Sequence, residues 1–184
     1  MALAFGGQLE ENVIVALISV GIGWLLAQLT DAIKKVHQQR TLKRALKAEL
    51  SDIKRNADVA IELCVNFREN VSNTQYGVIT PHSIKTHVFD NFYPTIYADF
   101  DPEERYAIAK IYGHVEFFNN ALSSICQENV RNSFGDMFSA LLWLQACINQ
   151  YENDPKKQIS DDNVEVERVN KEVLGYLKAV GLLG

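Results

Sequence analysis

Residues 12–29, NVIVALISVGIGWLLAQL, form an uncharged apolar run, after which polar positions return to the pattern. At about 1.5 Å of rise per residue such a run makes a helix of roughly 27 Å, matching the hydrocarbon core of a bilayer. Beyond it, Leu46, Leu50, Ile53, Ala57, Ala60, Cys64, Phe67 and Val71 recur at alternating spacings of four and three, the signature of one buried helix face. Ile61 and Leu63 widen the apolar surface off that seam, so this segment is predicted to pack among several neighbours rather than in a two-stranded coil. No Gly or Pro falls between Trp24 and Tyr76, and a single helix is predicted to pass from the apolar run into the domain beyond it.

Residues 72–100 break the pattern with Gly77, Pro81 and Pro94, leaving room for one short helix near Ser83–Phe92. A firm start signal comes next: Asp101 as N-cap, Pro102 at the first helical position, and Glu103 and Glu104 in the first turn. Ile108, Ile111, Val115, Phe118, Leu122 and Ile125 form its inner stripe. A further helix over about 130–152 places Phe134, Met137, Phe138, Leu141, Leu144 and Ile148 inward. After the loop NDPKKQ, Ser160 is expected to cap a last helix with Val166, Val169, Val173, Leu177 and Val180 inside. No strand pattern competes. The predicted fold is all-α: a single N-terminal transmembrane helix continuing into a cytosolic helical bundle of four long helices and one short one.

Charge sharpens the membrane reading. The net charge is −5, yet Lys34, Lys35, Arg40, Lys43, Arg44, Lys47, Lys54 and Arg55 crowd the segment after the apolar run, while Glu10 and Glu11 precede it. An acidic start without a small-residue cleavage site is unlike a signal peptide. A core helix wrapped by the rest of the chain is the other reading, and Trp24 and the basic flank favour the membrane. The expected organisation is a short extracytoplasmic tail over 1–11, a span over 12–30, a basic connector over 31–45 and a cytosolic bundle over 46–184. The inner membrane is the predicted location, with the N-terminus outside. The acidic body argues against duplex nucleic acid as a partner.

Ala16, Ser19, Gly23 and Ala27 share one stripe of the span, and small residues at such spacing allow close helix association. A lone span lines no pore, so any action on the bilayer implies a homo-oligomer. The three cysteines, Cys64, Cys126 and Cys147, stand apart among apolar neighbours and read as small buried hydrophobes in a reducing compartment. No metal, cofactor or catalytic signature is present, and the chain is expected not to be an enzyme. His82, Lys85 and His87 in the irregular stretch, with Arg105, Tyr106 and Lys110 beyond it, are the six expected ligand residues; with Tyr93 and Tyr97 between them they combine cations with rings and suit a nucleotide-like ligand. A solvated turn plugged by tyrosines is the plainer reading of the same residues.

The apolar NVIVALISVGIGWLLAQL, the basic KKVHQQRTLKRALKAEL and the helix DPEERYAIAKIYGHVEFFNNAL together resemble the layout of small membrane effectors of type III CRISPR antiviral systems. That resemblance implies a cytosolic helical part that binds cyclic tetra-adenylate, a membrane part that disrupts the bilayer, and a homo-tetramer matched to the fourfold ligand. The alternative is a passive inner-membrane anchor or scaffold that docks a soluble partner.

Overall fold

The computed structural model describes residues 4–70 and 79–183, with the side chains of residues 4–16 and of Asp161 outside the description. Five α-helices succeed one another: α1 (Ala4–Asn70), α2 (His87–Ile96), α3 (Pro102–Ser123), α4 (Val130–Asn153) and α5 (Asn163–Ala179). Short 3-10 turns at Tyr97–Asp99 and Ile159–Asp161 precede α3 and α5, and no strand occurs among the described residues. Contacts divide the chain into two units, Met1–Arg44 and Ala45–Gly184.

The first unit is the leading part of α1. Every described side chain from Leu17 to Val36 is exposed, with Val20 at 72% and Trp24 at 62%. Among the described residues α1 is the one helix long and apolar enough to cross a membrane. Ser19, Gly23 and Ala27 are exposed on it, while Ala16 lies among the undescribed side chains.

The second unit holds the core. From α1 it buries Leu46, Leu50, Ile53, Ala57, Ala60 and Cys64, the predicted seam, with Phe67 half-buried and Val71 outside the described residues. Helix α4 is sunk deepest. Besides its predicted inner stripe it buries Ser133, Gly135, Ala140, Leu142, Ala146, Cys147 and Tyr151, so only a narrow face meets water. A helix apolar on most of its surface needs neighbours on most sides.

Those neighbours are identifiable from side-chain pairs. Lys54 meets Glu152, Asp58 meets Gln145 and Phe67 stacks on Phe134 at 3.9 Å, so α1 and α4 run antiparallel. His114 stacks on Trp143 at 6.5 Å from α3. Tyr176 of α5 stacks on Phe138 at 4.0 Å and donates its hydroxyl to the Cys64 carbonyl at 2.9 Å, joining α5 to α4 and α1. At Gly135 an added Cβ would sit 2.7 Å from a Leu177 methyl, which marks how closely α5 approaches α4. Beyond the C-cap Val180 of α5, Gly181 has a φ of +78°, which suits glycine just past a helix C-terminus.

Several local expectations are revised. The short helix begins at His87 rather than near Ser83 and carries Pro94 in its last turn. Asp162, not Ser160, caps α5 by accepting from the Glu165 N–H at 3.1 Å; Ser160 lies in the 3-10 turn that tucks Ile159 into the core. Cys126 is exposed in the α3–α4 connection, while Cys64 and Cys147 are buried as expected. Asp101 and Glu104 form the reciprocal capping box at the start of α3.

Candidate functional site

The strap over 79–86 and helix α2 are laid against α1 and α3 by three side chains. Asn119 of α3 clamps one residue of the strap: its Oδ1 accepts from the Ile84 N–H at 2.9 Å and its Nδ2 donates to the Ile84 carbonyl at 2.9 Å. The amide carries its acceptor and its donor on separate atoms of one plane, so a single side chain satisfies both backbone groups. Helix α2 has no capping bond from its own N-cap Thr86. Instead the Glu49 carboxylate of α1 accepts from Val88 N–H at 2.6 Å and from Phe89 N–H at 3.0 Å. A carboxylate there satisfies orphan N–H groups and complements the positive end of the helix. Tyr112 of α3 donates to the same carboxylate at 2.6 Å. Burial, and next that bond to Glu49, push the Tyr112 phenol well above its usual range, so it stays a donor.

An aromatic ladder runs from this point along α2. Tyr112 stacks on Phe89 at 3.7 Å, Phe89 on Tyr93 at 4.7 Å, and Tyr93 meets Tyr97 edge-on at 5.6 Å. The Arg105 guanidinium closes it, 4.6 Å from the centre of the Tyr97 ring.

The six ligand residues expected from sequence fall into three places. His82 and Lys85 stand exposed on the strap, and His87 is exposed at the first position of α2. Arg105 turns toward Tyr97. Tyr106 and Lys110 lie together, with the Lys110 ammonium 4.9 Å from the Tyr106 ring centre. These two line a cleft with Cys147, Gln150 and Tyr151 of α4 and with Lys157, Gln158 and Ile159 of the loop after it. None of the strap residues lines it. The cleft is tight, with a free volume of about 10 Å3, so a base or phosphate entering it displaces side chains. Its two lysines, two glutamines and two tyrosines provide donors for an anion and rings for stacking. Burial pushes the Cys147 thiol up to about 11, which keeps it protonated and unreactive in the cleft wall.

A second, wider cleft of about 390 Å3 opens between α2 and α3, lined by Thr86, Phe89, Asp90, Tyr112, Gly113, Glu116 and others. Its Asp90 and Glu116 suit a cation better than a nucleotide, and Asp90 accepts from Thr86 at 2.8 Å. No group of three or more metal-ligating side chains exists among the described residues.

Glu49, Tyr112, Asn119 and Lys157 emerge only from the structure, whereas Tyr93 already stood in the sequence's ring-and-cation region. Glu49 sits beside the Leu46–Leu50 seam and Asn119 is next to the stripe residue Phe118, so polar residues bordering a buried stripe were the available signal. The chain matches no family model, and no curated protein and no solved structure matches it.

Proposed function

We propose that the protein works at the inner membrane as a single-pass anchored protein whose helical unit, residues 45–184, lies in the cytoplasm. The observation that carries this reading is the uniform exposure of Leu17, Ile18, Val20, Ile22, Trp24, Leu25, Leu26 and Leu29 in a chain that buries its other long apolar stripes. Leaving that much apolar surface in water is costly, and a bilayer removes the cost. The cations from Lys34 to Arg55 favour the cytoplasmic side for the helical unit behind them. Carbonate extraction of membranes from expressing cells tests the anchor: the full chain should stay with the membrane. Ile22→Arg should release a large fraction of it, because a central arginine costs about 3 kcal/mol on insertion. Recovery of the wild-type chain as a soluble monomer would sink the proposal.

For the cytoplasmic unit we favour a sensor over a passive scaffold. Tyr106, Lys110 and Lys157 converge on one cleft, which supports a phosphate-bearing, base-stacking ligand. On this reading the ligand is a cyclic oligoadenylate of antiviral signalling, as the resemblance to type III CRISPR effectors implies. The output is then an oligomer, a tetramer on the same resemblance, associated through the Ser19, Gly23 and Ala27 stripe. Calorimetry of the full chain in nanodiscs should show cyclic tetra-adenylate binding that Lys110→Glu abolishes, and co-expression with the messenger should depolarise cells. Absence of both, with capture of one dominant soluble partner, would instead establish the scaffold.

A further inference from the structure

Two buried donors lack acceptors, and both lean on the same ring. Tyr93 is 7% exposed and its hydroxyl has no hydrogen-bond partner; the Nε of Arg105 is likewise buried and unpaired. Tyr93 meets the Tyr97 ring edge-on at 5.6 Å, and the Arg105 guanidinium carbon lies 4.6 Å from that ring's centre. Buried polar groups without partners are rare and costly, and a charged donor without one is costlier still.

Two neighbouring carboxylates have partners of their own. Glu104 accepts from the Asp101 N–H at 3.1 Å, and Asp101 pairs with Lys156 at 2.7 Å. Both stand within about one turn of Arg105, yet its Nε finds no acceptor. Burial, with Tyr97 next, pushes the Tyr93 phenol up to about 12 against the opposing pull of Arg105, so it remains a neutral donor. The Tyr93 O–H and the Arg105 Nε–H are thus two donors without acceptors beside one exposed aromatic ring. Tyr97 beside them is 46% exposed.

We infer that the Tyr93 hydroxyl and the Arg105 Nε together form a subsite for a phosphoryl oxyanion at the junction of α2 and α3. Tyr97 is its outer wall and supplies a stacking face beside the anion. The subsite gives the sensor reading a place for one phosphoryl group, and it rests on that reading only for the identity of the larger ligand. A phosphoryl group can come from a nucleotide or from a lipid headgroup, and the chemistry at the two donors is the same.

Pyrophosphate titrated calorimetrically into the full chain in phosphatidylcholine nanodiscs tests the subsite, with two parallel arms: cyclic tetra-adenylate, and nanodiscs containing phosphatidic acid. Saturable pyrophosphate binding is expected, weakened about tenfold by Tyr93→Phe and about tenfold or more by Arg105→Lys, which keeps the charge and removes Nε–H. Loss of pyrophosphate binding in the phosphatidic acid discs would assign the site to a lipid headgroup, and competition by cyclic tetra-adenylate would assign it to a nucleotide. Pyrophosphate binding without either competition keeps the subsite and separates it from the oligoadenylate site proposed at Lys110. The subsite is overturned if pyrophosphate does not bind, or binds equally to both variants. Thermal melting provides the control: without a ligand role, Tyr93→Phe removes an unpaired buried hydroxyl and melts at or above wild type, with or without pyrophosphate.

Discussion

The Tyr112 hydroxyl reaches the Glu49 carboxylate at 2.6 Å, so α1 and α3 jointly hold the start of α2. Glu49→Ala strands that hydroxyl together with the Val88 and Phe89 N–H groups, and it should cost about 3 kcal/mol in chemical denaturation. Glu49→Gln retains one acceptor oxygen but removes the charge at the helix terminus, and should cost about half as much. Equal stability of Glu49→Ala and wild type would mean that the carboxylate does not organise α2.

Asn119 fixes the strap by donating and accepting at the same residue. Asn119→Asp keeps the acceptor for Ile84 N–H but sets a carboxylate oxygen against the Ile84 carbonyl. A loss of about 1–2 kcal/mol is expected, together with faster limited proteolysis between residues 79 and 86. Unchanged cleavage rates in that segment would show that the clamp is dispensable.

Burial, and next the Lys110 charge, hold the His114 pKa below its ordinary 6.5. The unfolded chain therefore takes up this proton first. The stability associated with neutral His114 is complete above pH 6.5 and declines as pH falls from 6.5 toward the folded-state pKa. His114→Phe keeps a ring against Trp143 and should flatten that part of the curve. Melting temperatures tracked across about pH 5 to 8 decide it, and identical acid limbs would remove His114 as the cause.

Tyr176→Phe preserves the stack on Phe138 while deleting the bond to the Cys64 carbonyl, for an expected loss of about 1 kcal/mol. Tyr176→Ala also opens a cavity between α4 and α5 and should cost about 3–5 kcal/mol. If the two variants melted alike, the ring would carry none of the packing.

Exposed Cys126 should react with a maleimide in the native chain, whereas buried Cys64, whose thiol is pushed up to about 12, and Cys147 should react only on unfolding. With a membrane-impermeant reagent the same residue reports sidedness. Labelling of Cys126 in inverted vesicles but not in intact spheroplasts is the outcome for a cytoplasmic unit, and the reverse pattern would invert the proposed orientation.

The helix stripes were legible because burial imposes a period on sequence. Ile108, Ile111, Val115 and Phe118, and the six stripe residues of α4, are buried as their spacing requires. Tyr176 escaped that reading because aromatic rings with polar tips carry little weight in an apolar count, yet it is among the most buried side chains of α5. The start of α2 was illegible for a different reason. Its cap comes from a residue 39 positions away, and no local pattern records a long-range hydrogen bond. The same limit applies to the cleft: Lys157 joins Tyr106 and Lys110 only because the loop after α4 returns to α3.

The borrowed cap on α2 also dictates an order of events. A ten-residue helix is marginal in isolation, and this one carries Pro94 and takes its N-terminal acceptor from Glu49. It therefore forms after α1 and α3 have come together, across a chain separation of 63 residues between Glu49 and Tyr112. Separation of α1 from α3 removes that cap. Amide exchange at Val88 and Phe89 then registers the parting of α1 from α3, making this short helix a native reporter of subglobal opening.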